Sequence, residues 1–366
     1  MSICRCIGVV SVLLITHFSR GDLLFAQVKA KNNQVLEEKD QKKDHQDTDD
    51  MAEPVKQKLV IYTSRAEHLI KPVIDLFIKE TGIQVKFQTG SAGLFIEKLK
   101  AQKKQTDADI FITVDAGNLW AAKEAGLLQQ VSLPTLDQKV PRAYRDHQGY
   151  WWGISLRART VVYNSSQVKA DELSTYEDLA APKWQGKLCL RTAKKVYNQS
   201  LVAMLIHHHG KEKTTSIIKG WVANLATKVF SSDTLLITAV SRGQCALGIV
   251  NSYYLGRLQK KGEASAVKIF WPNQKTSGVH VNVSGAGIVK HAKNLEPAKR
   301  FMNFLMTPKA QELLARLNLE YPTVAGTPLD PVVRSWGDFR ASQMPLTEAG
   351  RLQSAAIKLM DYAGYR

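Results

Sequence analysis

Between Lys58 and Val114 the apolar residues of this chain change period four times, and no other feature of the sequence restricts its fold as much. Residues 58–62 form a short apolar run suited to a strand. Across 67–81 the apolar positions Leu69, Ile70, Val73, Ile74, Phe77 and Ile78 recur at helical spacing, and Gly82 closes the segment. Residues 83–88 return to strand character. Gly90-Ser91-Ala92-Gly93 turns the chain into a second helix over 94–103, and 109–114 reads as a third strand. A β-α-β-α-β order places strands in a mostly parallel sheet with helices on its faces. Open sheets of that kind bind ligands beyond the carboxyl ends of their strands.

Further on, residues 153–163 make a long extended run, a natural crossover into a second lobe. Residues 187–191 and 246–250 read as strands of that lobe, and 280–288 as the return crossover. Asn282, Ser284 and Gly285 suit a hinge, where small residues absorb backbone rotation. Helical patterning resumes after Glu296, most clearly at 298–305 and 309–317. The expected fold is α/β and two-lobed, each lobe a mixed sheet flanked by helices with a cleft between. Lobe 1 takes residues 59–157 and about 284–320, lobe 2 takes 158–283, and a helical segment, 321–366, packs on both. A chain of 366 residues is long enough for two such cores.

The first 26 residues carry Arg5, an apolar stretch over 7–15 and Leu24-Phe25-Ala26 ahead of Gln27, the order of an export signal cleaved near Ala26. Residues 27–58 are polar, mix Lys with acidic residues and have no apolar period; they read as a disordered spacer. Export selects an oxidising compartment. Cys4 and Cys6 leave with the signal, so Cys189 and Cys245 remain. They are expected to pair; two buried free thiols in separate strands is the other reading. The net charge of +17 raises the question of nucleic acid. Zinc-finger spacing, an RNP-like aromatic motif and a Lys/Arg-rich arm are all missing, and the charge is spread along the chain, which suits capture of an anion, or of a metal held with anions. Nor does the sequence contain a Gly-x-Ser-x-Gly elbow, a His-Glu-x-x-His helix or a catalytic cysteine with partners, so the expectation is a binding protein and not an enzyme.

One motif carries chemistry. The strand-like run 246–250 ends at Asn251, and two phenols, Tyr253 and Tyr254, follow at once where a helix begins. Taken alone, adjacent tyrosines are packing aromatics. Deprotonated, they are hard oxygen ligands suited to a hard, highly charged cation such as Fe³⁺. A further phenol, Tyr197, lies in a polar turn. His207-His208-His209 closes an apolar helix before Gly210, where polar and cationic residues favour the helix dipole without any metal.

Together with the motifs around it, this arrangement resembles the bacterial periplasmic ferric-iron-binding proteins of iron ABC importers. The blocks that carry the likeness are Val60-Ile-Tyr-Thr-Ser-Arg65, Thr81-Gly-Ile-Gln-Val85, Ala108-Asp-Ile-Phe111, Leu173-Ser-Thr-Tyr-Glu-Asp-Leu179, Pro182-Lys-Trp-Gln-Gly186, Val196-Tyr-Asn-Gln-Ser200, Asn251-Ser-Tyr-Tyr-Leu-Gly-Arg257, Val281-Asn-Val-Ser-Gly285 and Glu320-Tyr-Pro322. The resemblance implies the type II-like periplasmic solute-binding fold, a hinged clamp in the periplasm that closes on Fe³⁺ and hands it to an inner-membrane ABC permease, with the protein a monomer. It implies Tyr253 and Tyr254 as metal ligands and, in the tyrosine-rich subgroup, Tyr197 as a third. First-lobe ligands do not carry over: Ala66 stands where some members have His, Glu67 where others have Tyr, and Val114, with Asp115 beside it, where another subgroup has a metal Glu. Glu67 and His68 remain as possible additional donors. Three phenolates balance one Fe³⁺, and a synergistic anion such as carbonate would help fill the roughly six donor positions. Arg65 is the expected anion clamp because its forked guanidinium suits carbonate. Ser64 and Arg159 are further candidates, and Arg157 stands near enough at the crossover to neutralise a phenolate. The alternatives are a same-fold carrier of an organic anion or polyamine-type solute, and a module that holds anionic envelope polymers by charge.

Overall fold

The computed structural model describes residues 57–366. The export signal, its cleavage near Ala26 and nearly all of the spacer lie outside the described residues. The chain enters on β1 (Lys58–Thr63), turns through α1 (Glu67–Thr81) and returns on β2 (Gln84–Thr89), parallel to β1. Helix α1 forms where the sequence places it. Ile70, Val73, Ile74 and Phe77 are its buried stripe, and Phe77 meets Phe301 edge-on at 5.0 Å. Burying each such side chain stabilises the fold by about 2 kcal/mol. Gly82, at φ 72°, ends the helix in the left-handed conformation that only glycine adopts without cost, and its N–H caps the Ile78 carbonyl. Next come α2 (Ala92–Gln102), β3 (Ile110–Thr113), α3 (Ala116–Glu124) and the short α4 (Pro134–Lys139).

Strand β4 (Trp152–Asn164) joins the lobes. Its first half, to Ala158, pairs antiparallel with β8 (Val281–Ile288); its second half, from Arg159, pairs with β6 (Leu247–Asn251) and β7 (Val267–Phe270). The run 153–163, read as the outward crossover, is thus one continuous strand whose two halves pair with different strands. β8, the run read as the return crossover, lies between β3 and β4 and pairs along the first half of β4, with Val281 opposite Ala158. An extended, apolar run of small residues looks the same whether it crosses a hinge or fills a sheet, and only its pairing partners separate the two. The strands run β2-β1-β3-β8-β4-β6-β5, with β7 and β9 (Tyr321–Pro322) also on β4, so the two mixed half-sheets are continuous through β4.

The second lobe holds β5 (Leu188–Cys189), α5 (Val196–Ala223, broken at Gly210), α6 (Asp233–Ser241), β6, α7 (Ser252–Lys260) and β7. Cys189 and Cys245 are joined, with Cα atoms 5.9 Å apart, tying β5 to the segment that leads into β6. Closing a loop of 56 residues restricts the unfolded chain enough to contribute about 4 kcal/mol. After β8 come α8 (Leu295–Phe304), α9 (Pro308–Asn318), β9, α10 (Pro331–Arg334) and α11 (Leu346–Tyr362). Helix α11 touches both lobes: Ala356, Leu359 and Met360 join the core around α5, while Leu346 joins the core around β3 and α3. Among the described residues no helix is long and apolar enough to cross a membrane.

Candidate metal centre

Three phenols share one wall of the second lobe, each on the first turn of a helix that follows a strand. Tyr253 and Tyr254 open α7 directly after β6, and Tyr197 opens α5 after β5. The rings of Tyr253 and Tyr254 lie 4.3 Å apart. Helix N-termini carry partial positive charge, which favours the phenolate over the phenol. Tyr253 is buried, packed with Leu319, Val333 and Trp336, and the other two are half-buried. Gly256 permits that packing: a Cβ there would come within 3.0 Å of both Leu319 and Trp336.

Arginines surround the phenols. Arg157 lies over Tyr197 at 5.4 Å, Arg191 over Tyr197 and Tyr254 at 5.5 and 5.9 Å, and Arg257 over Tyr253 and Tyr254 at 4.8 and 5.6 Å. Burial pushes the Tyr253 phenol well above its ordinary range; the neighbouring charges of Tyr197 and Tyr254 push the same way, against Arg157. Tyr197 is raised too, mainly by burial, again with Arg157 opposing. Without a cation both therefore stay protonated at neutral pH, and a metal must displace those protons.

Asp233 fixes this wall from behind. Fully buried on the first turn of α6, it accepts the Asn251 backbone N–H at 3.0 Å and pairs with Arg159 at 3.2 Å, while Arg191 stands 3.6 Å away. Arg159 also donates to the Asn251 side chain and the Ile249 carbonyl. It thus holds the end of β6, and its guanidinium is largely engaged within the lobe. Arg65 is engaged in the same way. It is buried, paired with Glu320 at 2.8 Å and bonded to Ser155 and Asn318. Its fork is filled by partners from 90 to 255 positions away, which residue type alone could not reveal. Ser64 links β1 to β3 by donating to Thr113 at 3.2 Å and accepting the Val114 N–H, so its hydroxyl is likewise spent inside the lobe.

Glu320 draws Arg65 and Arg157 together, Arg157 at 3.6 Å. Burial alone would raise its carboxyl, but the two guanidiniums outweigh that and hold it below the usual range. Asp115, the N-cap of α3, is raised to about 6 by burial, against Arg157, and accepts from Asn282 at 2.7 Å. Asn282 also donates to Ser200, on the helix that carries Tyr197, so this expected hinge residue links the lobes as a buried bridge. Glu67 and His68 are exposed on the first turn of α1 and make no side-chain hydrogen bond or ion pair among the described residues. The histidine run is an outer feature: His209 bonds Glu177, His208 bonds Ser342, and His207 stands 3.7 Å from Glu348. Among the described residues no three His, Cys, Asp or Glu side chains gather as a metal site.

Two cations escaped the sequence reading. Arg257 stands inside the motif that contains the tyrosine pair, so a spacing of one helical turn could have found it. Arg191 gave no signal, because it closes a strand and meets the phenols only through the fold. Its Nε and Nη1 are buried without a hydrogen-bond partner.

The family model for bacterial extracellular solute-binding proteins matches residues 106–341. Iron uptake protein A1 of Synechocystis sp. (strain ATCC 27184 / PCC 6803 / Kazusa) is 41% identical over 316 residues, 85% of this chain and 88% of that protein. The Fe(3+)-binding periplasmic protein of Serratia marcescens is 28% identical over 84% of this chain and 90% of its own. Among solved structures, the Trichodesmium FutA (IdiA) protein in complex with iron and citrate ligands matches with a TM-score of 0.82 at 42% identity, covering 84% of this chain and 100% of that one.

Proposed function

This chain belongs to the bacterial extracellular solute-binding proteins, within their ferric-iron-binding branch, and we propose that it captures Fe³⁺ on the wall formed by Tyr197, Tyr253 and Tyr254. The protein is a periplasmic carrier of ferric iron that works with a membrane permease. We assign that permease to the inner-membrane ABC class and the carrier to a monomer without catalytic activity of its own.

The observation that carries the reading is the convergence of three phenols at helix N-termini, ringed by arginines. The phenols supply hard anionic oxygen once their protons leave, and three of them balance the charge of one Fe³⁺. The positive surround lowers the cost of forming three adjacent anions. A synergistic anion, carbonate or a carboxylate, completes the shell. Arg191 is the side chain for it, since its buried guanidinium faces Tyr197 and Tyr254 and its Nε and Nη1 carry no hydrogen bond, with Asp233 3.6 Å from Nη1. Glu67 and then His68, exposed at the first-lobe helix N-terminus, are the donors that lobe closure would add. Iron bridging the two lobes would shift the equilibrium towards the closed form, which a permease can distinguish.

The test is equilibrium iron binding by competition with a chelator. The native protein should hold Fe³⁺ in a one-to-one complex, and Tyr197→Phe combined with Tyr253→Phe should lose it while keeping a native unfolding midpoint. Full iron affinity in that variant contradicts the proposed ligand set.

A further inference from the structure

Beside the tyrosine pair lies a groove of about 360 Å³ whose walls come from both lobes. Tyr254, Arg257, Lys260 and Lys261 line it from α7 and the residue after it, and Arg316 lines it from the last turn of α9. Four cations therefore share one opening. A single carboxylate offsets them: Asp330 pairs with Lys260 at 2.7 Å. Among the described residues Arg257, Lys261 and Arg316 form no ion pair and donate no side-chain hydrogen bond. Arg257 instead lies over the two tyrosine rings, at 4.8 and 5.6 Å. Converging like charges repel one another, and an anion seated among them removes that cost. The volume falls within the range of small-molecule sites, and buried leucines on the lining offer apolar surface to a carbon skeleton.

We propose that this groove binds a multiply charged carboxylate, the class that includes the hydroxy acids that chelate iron. It is a different place from the anion position at Arg191. There the anion coordinates the metal; here the free carboxylates of an iron carrier are gripped outside the metal shell, at the edge where Tyr254 is reached. Guanidinium forks suit carboxylates bidentately, and the two lysines add point charge. One arm belongs to each lobe, so an occupant also favours the lobes coming together. The purpose assigned to the groove rests on the ferric reading of the phenols; its affinity for the anion does not.

The experiment uses the full mature chain, free of iron, titrated calorimetrically with citrate, with acetate as a single-carboxylate control. Citrate should bind at least about tenfold more tightly than acetate and weaken as salt is added. The double variant Lys261→Gln, Arg316→Gln, whose residues take no part in holding iron, should weaken citrate about tenfold or more. It should slow iron loading from ferric citrate by a similar factor and leave loading from ferric acetohydroxamate unchanged. Citrate binding no tighter than acetate, or equal citrate affinity in the variant, overturns the groove. A native protein that takes iron from neither source contradicts the ferric reading instead, and the iron-free titration then decides the groove by itself.

Discussion

Two clusters of arginines flank the cleft, and they differ in what answers their charge. At the first lobe's edge, Arg65 and Arg157 close on Glu320, with Ser155 and Asn318 filling further positions. At the second lobe, Arg191 and Arg257 lie over the phenols, with Asp233 standing 3.6 Å from Arg191. The first cluster is complete as it stands and secures the joint between α9, β4 and β1. The second is only partly answered: Arg191 shares Asp233 with Arg159, its Nε and Nη1 carry no hydrogen bond, and Arg257 forms no ion pair among the described residues, so the charge left over is what we propose a ferric–anion pair uses.

The sharpest break between the two is by single substitutions. Tyr253→Phe should lower iron affinity at least about ten-thousandfold, over 5 kcal/mol, with little change in stability, as read by chelator competition and urea unfolding. Arg65→Gln should do the opposite, leaving iron affinity within a few-fold while destabilising the fold. Glu320→Ala strands two buried cations at once and should cost about 3–5 kcal/mol of stability in the same urea experiment. If its stability equals that of the native protein, the first cluster is not structural.

Acid sharpens the contrast. Burial raises the Tyr253 and Tyr197 phenols, so each proton lost to iron must be withdrawn from a group that holds it firmly. Iron affinity should fall as pH falls, by about tenfold per pH unit for each phenol that releases a proton on binding. A titration across neutral pH that shows no dependence would exclude phenolate ligands. The smallest effect expected is from Gly256→Ala. The added methyl would press on Leu319 and Trp336, cost about 1–3 kcal/mol and shift α7 away from the first lobe. Iron affinity should drop several-fold, whereas the same change at exposed Gly93, with open space around it, should leave affinity unaltered.

Much of the fold was readable because it is local. The apolar stripe of α1, its stop at Gly82 and the long extended run of β4 are set by neighbours a few residues apart. What was hidden is non-local. Residues 280–288 read correctly as extended, but their seat between β3 and β4 depends on pairing with segments more than 120 positions away. The site divides the same way. Tyr253 and Tyr254 stand together in sequence, and the turn around Tyr197 supplied the third phenol. The engagement of the candidate anion arginines was hidden because a guanidinium declares its charge and not its partners. Arg65 is answered by a glutamate 255 residues on, and Arg191 reaches the phenols only through the β5–α5 turn.

The central claim is that these three phenols become iron ligands. The visible absorption spectrum of the protein, exported to the periplasm and purified, tests it most directly, before and after addition of ferric citrate with bicarbonate. The account predicts a broad tyrosinate-to-iron charge-transfer band that is absent in Tyr253→Phe and unchanged in Arg65→Gln. A protein that stays colourless, or a band that survives in Tyr253→Phe, would contradict it.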